Sequence, residues 1–350
     1  MTREYQYKDS ANAEAAEHAI SLVSESLQRR TALTSELKQK YIKTDNDARL
    51  SEAIDQLLAG SLAEVHGSRA DGRSLMVIGE TGVGKTTSLR RQFRLRKELE
   101  PYSDGFGRKT PLVSFEAPSP CAMKEFGRQF LIALGYPAPE HLRSDLIWER
   151  VRKQVKAQGV LIVHVDEMQH VFESVRAQEI DVLTNTLKNI MQQSDWPVRF
   201  IFSGLPSLAE FKLADAQIWW RTRIIRLAAL ANGDLALVQH IITMIEEKAR
   251  LDVSDLQTDE FRGRLRHAVR GALGRLIEFT VDTAVDVLCS DDGRKKLTVA
   301  DFAKTYRAFA GCDDGDNVFL ADRWFNISPF LSDKDEYDEA RARKYSRRKA

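Results

Sequence analysis

Residues 75–87 read Leu-Met-Val-Ile-Gly-Glu-Thr-Gly-Val-Gly-Lys-Thr-Thr. An apolar run closes in a glycine-rich turn, and a lysine followed by two threonines opens a helical pattern. Gly79 to Thr86 is a complete G-x-x-x-x-G-K-[ST], standing where that pattern has physical meaning, between a strand and a helix. Glycines let backbone N–H groups turn inward around a phosphate. The Lys85 ammonium then reaches the β- and γ-phosphates, and the Thr86 hydroxyl ligates Mg2+. Gly79, Glu80, Thr81, Gly82, Val83, Gly84, Lys85, Thr86 and Thr87 are the candidate nucleotide-binding residues.

Leu161-Ile-Val-His-Val-Asp-Glu167 is an apolar run ending in two carboxylates, the first of them 80 residues after Thr86. Alone, such a run is only a strand end meeting solvent. Paired with the phosphate loop, Asp166 holds Mg2+ through water and Glu167 polarises the attacking water. His164, inside the strand, reads as a packed core residue. Gln169 and His170 stand between γ-phosphate sensing and a plain helix start. Ser203, ending the run Val198–Ser203, either orients the attacking water or caps a turn. In Gln217-Ile-Trp-Trp-Arg-Thr-Arg-Ile-Ile-Arg226 the arginines are either a solvated strand edge or a finger offered to a neighbour's site. Trp219 and Trp220 there pack at a subunit interface or as core plus cover.

Outward from these motifs, strands at 75–78, 112–115, 160–165, 198–202 and 223–227 alternate with helical segments at 123–133, 144–157 and 180–191. That alternation predicts a five-stranded parallel sheet with helices on both faces. Residues 11–65 read as helix with a stop at Gly60, giving an N-terminal helical arm over 1–66. The α/β domain spans 67–232. From Asp234 the strand signals cease, and four helical patterns predict an all-helical lid over 233–312. An extension over 313–350 ends in five acidic residues between Asp333 and Glu339 and six basic ones from Arg341 to Lys349.

The 350 residues suit two domains. A 43% hydrophobic and 29% charged composition excludes disordered and collagen-like chains. The net charge of +1 makes any nucleic-acid-binding surface local rather than global. Three scattered cysteines offer neither a zinc site nor a disulfide framework and fit a reducing cytosol. No apolar run approaches the roughly 20 residues of a membrane span, so the expected location is cytoplasmic.

In this order and spacing the motifs resemble the AAA+ ATPase superfamily over about residues 50–310. The closer resemblance is to the TniB/TnsC family, AAA+ regulators of DNA transposition. It is carried by 79–87, by Val-Asp-Glu-Met-Gln-His at 165–170, by Ser-Gly-Leu-Pro-Ser at 203–207 and by Asp-Ala-Gln-Ile-Trp-Trp-Arg at 215–221. The resemblance implies ATP and Mg2+ as ligands and a head-to-tail ring or filament on duplex DNA. It also implies ATP-dependent, sequence-tolerant DNA binding and a link from a target-selection protein to a transposase. The arginine finger falls on Arg221, with Arg223 as the alternative. A lid arginine expected three residues after Gly271 meets Gly274 instead, and Arg275 follows one position later. Pore-facing elements after the second strand point to Lys124 and Arg143 as DNA contacts, against a plain solvated helix face. Two other readings stand beside transposition. One is an AAA+ helicase loader or replication initiator, for which the residues after Phe309 look too short for a winged-helix reader. The other is a slow-hydrolysing nucleotide-switched scaffold, less in keeping with an intact Asp166-Glu167 pair. A small-molecule kinase leaves the helical lid unexplained.

Overall fold

The computed structural model describes residues 14–65, 68–69, 72–119, 121–174, 177–193, 195–209, 220–290 and 293–329. The chain forms two compact units. The first takes Lys43–Thr81 and Lys85–Leu227; the second takes Ala19–Ile42, Gly82–Gly84 and the residues from Ala228. Residues 217–219 and the charged tail lie outside the described residues.

The single helix expected over 11–65 is broken, and the arm expected over 1–66 is divided between the units. Helix α1 (Glu25–Lys38) belongs to the second unit, and α2 (Asp45–Leu62) to the first. The break is chemical. Thr44 and Asp47 form a capping box, the Thr44 N–H donating to Asp47 Oδ2 at 2.8 Å, which starts a new helix after the non-helical residues 40–44. Helix α2 buries Leu50, Ala53, Ile54, Leu57 and Leu58, a helical stripe, and runs through Gly60 to Leu62.

In the first unit the strands are β1 (Ser74–Ile78), β2 (Leu112–Glu116), β3 (Ile162–Asp166), β4 (Arg199–Gly204) and β5 (Thr222–Arg226). They pair in parallel in the order β2-β3-β4-β1-β5. All five residues of β1 and all six of β4 are buried, as strands covered on both faces require. Helices α3 (Lys85–Arg94), α4 (Met123–Ala133), α5 (Ser144–Ala157), α6 (Gln169–Ser174) and α7 (Ala177–Met191) connect them. Aromatic rings tie helices to sheet: Phe130 of α4 stacks on Phe115 of β2, and Trp148 of α5 on Phe126 of α4. The register sets Ile78 beside Gly204 and Arg226, and Asp166 beside Glu116, so the carboxyl ends of the strands form one rim. That rim is where a doubly wound sheet binds ligands. A hairpin, Tyr102–Asp104 with Gly107–Lys109, precedes β2 and was not anticipated, although its Asp104-Gly105 pair is a turn signal.

The second unit packs α1 with α8 (Leu235–Ala249), α9 (Asp259–Ala268), α10 (Leu273–Leu288) and α11 (Val299–Ala310). Phe261, Phe279, Phe302, Tyr306 and Phe319 form its aromatic centre. Residues 313–329, expected as an extension beyond the lid, are part of this unit. Phe319 is in the core, and Arg264 donates to the Val318 and Ala321 carbonyls at 2.7 and 2.8 Å. None of the described helices is long and apolar enough to cross a membrane.

One buried cation holds α2 to the first unit. Arg96, 6% exposed, donates to Asp55 Oδ1 at 2.6 and 3.0 Å, to the Ser51 carbonyl and hydroxyl at 2.9 Å each, and to Gln92. Arg96→Leu is expected to destabilise the protein by about 2–3 kcal/mol, because several acceptors lose a charged donor at once. A shift in the urea midpoint at unchanged slope measures it.

Candidate active site

The phosphate loop leaves β1 and enters α3. Gly82 and Gly84 have φ of +80° and +95°, where a side chain would strain the backbone. Lys85, the first residue of α3, is buried, and its Nζ donates to the carbonyls of Gly79 at 2.8 Å and Glu80 at 3.1 Å. Burial pushes its pKa down, while the carboxylates of Glu167, Asp166 and Glu80 favour its charge. The result is a cation with little water, held across the opening of the loop where a phosphate would compensate it.

Asp166, at the end of β3, gathers donors from three directions. Thr86 Oγ1 donates to Oδ2 at 2.7 Å; Ser203 Oγ and the Glu167 N–H donate to Oδ1 at 2.5 and 3.0 Å. Burial works to raise its carboxyl, but His164 and these hydrogen bonds outweigh burial and hold it below the usual aspartate range. It is therefore ionised at neutral pH and can only accept.

Proton directions beneath it follow from that. Ser203 spends its one proton on Asp166, so the contact between Ser203 Oγ and His164 Nε2 at 2.8 Å is a donation from the ring. Burial pushes the His164 pKa down to about 4, so the ring is neutral and carries one N–H. Its Nδ1 then accepts from Ser114 Oγ, also at 2.8 Å. Ser114, His164, Ser203 and Asp166 thus form a directed hydrogen-bond chain across β2, β3 and β4. His164 is buried as expected, but as a polar link rather than core filling. Ser203 faces the carboxylate rather than an open turn.

Glu167 turns out of β3 with φ +52°, uncommon for a residue with a side chain. Its carboxylate accepts a short hydrogen bond from Gln169 Nε2, and Gln169 Oε1 accepts from the Leu205 N–H at 3.1 Å. Thr86 and Asp166 place two oxygens side by side at the mouth of the loop. Among the described residues no group of three or more His, Cys, Asp or Glu could hold a metal. A hydroxyl beside a carboxylate suits Mg2+, which uses few protein ligands and completes its shell with water and phosphate.

The arginines separate by position. Arg221 precedes β5, whose Thr222 pairs with Ser74 at the start of β1. The phosphate loop begins after the other end of β1, roughly 15–20 Å further along the strands. Arg221 is held by the Gln192 amide oxygen at 2.5 and 3.0 Å, in the amide orientation that satisfies both groups. Arg223, exposed, donates to Gln56 Oε1 of α2 at 2.6 Å. Trp220 is 84% exposed, which leaves it no core role within the described chain. Within the second unit, the Gly274 N–H donates to the Gly82 carbonyl at 2.8 Å, and a Cβ on Gly274 would lie 2.6 Å from that oxygen. Only glycine fits the slot in which the family resemblance implies an arginine. Arg275, next to it in the first turn of α10, lies against Gly82, where an added Cβ would meet its Cγ at 2.6 Å. Lys124, in the first turn of α4, donates to the Glu140 carbonyl at 2.6 Å; Arg143, before α5, pairs with Asp145 at 2.8 Å.

A family model described as an AAA domain matches residues 68–211. Three solved structures are similar in fold. Cdc6p from Pyrobaculum aerophilum is 13% identical over 78% of this chain and 70% of that one, with a TM-score of 0.54. The Aeropyrum pernix ORC1 protein in complex with DNA is 14% identical over 79% and 69%, with a TM-score of 0.55. The Aeropyrum pernix ORC2 protein in its ADPNP–ADP complexes is 14% identical over 77% and 70%, with a TM-score of 0.52. The protein has the AAA+ P-loop fold. No curated protein matches the chain. In this AAA+ sheet β4 lies between β3 and β1, which is why Ser203 meets Asp166.

Lys85→Ala removes the buried cation and is expected to abolish ATP binding, read by titration with a fluorescent ATP analogue. Ser203→Ala strips Asp166 of a donor and leaves the His164 N–H unpaired. It is expected to cost about 1–3 kcal/mol in denaturant unfolding and to raise the Mg2+ concentration needed for tight nucleotide binding.

Proposed function

We propose that this protein is an ATPase that works as a head-to-tail oligomer on duplex DNA. The observation that carries the proposal is the meeting of Lys85, Thr86, Asp166, Ser203 and Glu167 at one rim of the sheet. Lys85 and the loop N–H groups bind the phosphates. Thr86 and Asp166 hold Mg2+, which when bound neutralises charge on the β- and γ-phosphates. Glu167 takes a proton from the attacking water. Arg275 is proposed to sense the nucleotide.

Arg221 lies too far along β1 and β5 to serve its own loop, which favours a finger acting on the neighbouring subunit. Exposed Lys124 and Arg143 are proposed to meet DNA phosphates. The Arg143–Asp145 pair is solvent-exposed and weak enough for a phosphate to displace. The comparisons support a replication initiator or helicase loader better than a transposition regulator, since the similar folds include an ORC protein solved in complex with DNA. The transposition reading rests on the stretches at 165–170, 203–207 and 215–221. Which protein the DNA-bound assembly retains, a helicase or a transposase with its target selector, separates the two.

Arg221→Ala protein keeps its pocket and lacks a finger; Glu167→Gln protein offers a finger and has a dead pocket. Arg221→Ala alone is expected to hydrolyse ATP 10- to 1000-fold more slowly, near or below the range for fingers in other nucleotide hydrolases, and Glu167→Gln alone is expected not to hydrolyse it. A mixture of the two is expected to recover activity. No recovery in co-assembled protein would remove Arg221 from the site. DNA binding is expected to require ATP, to tolerate any sequence and to lose roughly 0.9 log units of affinity per log unit of salt for each phosphate contact. Tight binding by a monomer without ATP contradicts this.

A further inference from the structure

We infer that Gln169 is a positioning residue that fixes the Glu167 carboxylate by tying it to the tip of β4. The inference rests on the proposed hydrolysis of ATP and concerns how its base is held.

Glu167 has left the β3 ladder, and its left-handed backbone turns it away from the strand. A general base works only within hydrogen-bond reach of the water it deprotonates. Something other than the strand must therefore set the position of this carboxylate, and Gln169 Nε2 donates to Glu167 Oε2.

The orientation of that amide is fixed by its other end. A backbone N–H can only donate, so the Gln169 atom facing Leu205 N at 3.1 Å is the oxygen, and the nitrogen faces Glu167. Gln169 is 3% exposed, so water does not compete for either end. The backbone follows the same path, the Met168 N–H donating to the Ser203 carbonyl at 3.0 Å. Gly204 makes room: a Cβ there would lie 2.2 Å from Gln169 Oε1. Both ends of the amide are thus engaged within the protein.

The tip of β4 therefore holds both carboxylates of the pair. Ser203 holds Asp166 directly, and Leu205 holds Glu167 through Gln169. A shift of this tip moves the metal ligand and the base together.

Two variants of the full-length protein test the inference. Gln169→Met keeps the length and loses both hydrogen bonds. Gln169→Glu keeps an acceptor for Leu205 but sets a second carboxylate against Glu167. Both are expected to lower kcat by about 10- to 100-fold, the scale of a displaced catalytic group, with KM and nucleotide affinity within about threefold of wild type. In nucleotide-free protein, amide exchange at Leu205 is expected to quicken in Gln169→Met and to stay near wild type in Gln169→Glu. Wild-type kcat in both variants overturns the inference. So does a loss of nucleotide affinity that parallels the loss of rate, which would make Gln169 a support of the loop rather than of the base. Active wild type, inactive Glu167→Gln and fully active Gln169 variants would remove Gln169 alone. A wild-type protein that binds ATP without hydrolysing it would remove the ATPase reading, and the inference with it.

Discussion

The Asp166 carboxylate is a charge drawn partly out of water, and the site is organised by what keeps it charged. Burial alone favours its neutral form. Donors from α3, from β4 and from its own turn reverse that preference. Each donor comes from a different part of the chain, so the carboxylate also registers those parts against one another. The strand order makes this possible: with β4 inserted between β3 and β1, the polar end of one strand lies beside the acidic end of the next and the loop after the third. In a sheet of sequential order β2, not β4, would stand between β3 and β1.

A buried polar chain is costly unless every member is satisfied. Here it is satisfied from end to end, because Ser114, His164 and Ser203 each give one proton forward. His164 is uncharged at neutral pH, so it passes on a direction rather than a charge. The two carboxylates of the pair are held differently as a result. Asp166 is fixed by donors from α3, from β4 and from its own turn, whereas Glu167 is held from the side through Gln169 and sits in a less favourable backbone conformation.

Strand polarity separates the cations. Lys85 sits at the carboxyl end of the sheet beside the carboxylates, and Arg221 sits before the amino end of β5. One lies in the candidate site, and the other lies beyond the opposite end of the strands. Arg223 and Arg226, exposed on the edge strand, also guard it against unwanted strand pairing.

Motif and period made much of this readable. The loop from Gly79 to Thr86, the strand ending at Asp166-Glu167 and the alternation of strands with helices are local patterns, imposed by phosphate geometry and by burial on both faces of a sheet. The strands lie within a residue or two of where those patterns put them. Other features were not local. The capping box at Thr44 and Asp47 was present in the sequence, but the division of the arm depends on which core each helix covers. Arg275 lies one position from the expected slot because Gly82 and Gly274 approach too closely for a side chain between them. His164 reads as a core residue and Gln169 as either a γ-phosphate sensor or a helix start, since their partners Ser114, Ser203 and Leu205 are distant in sequence. The sequence by itself determined which chemical groups the protein has and on which kind of element each sits. Only the tertiary structure decided which of them meet, because hydrogen bonds between buried groups depend on strand order and register, and neither is written in any one segment.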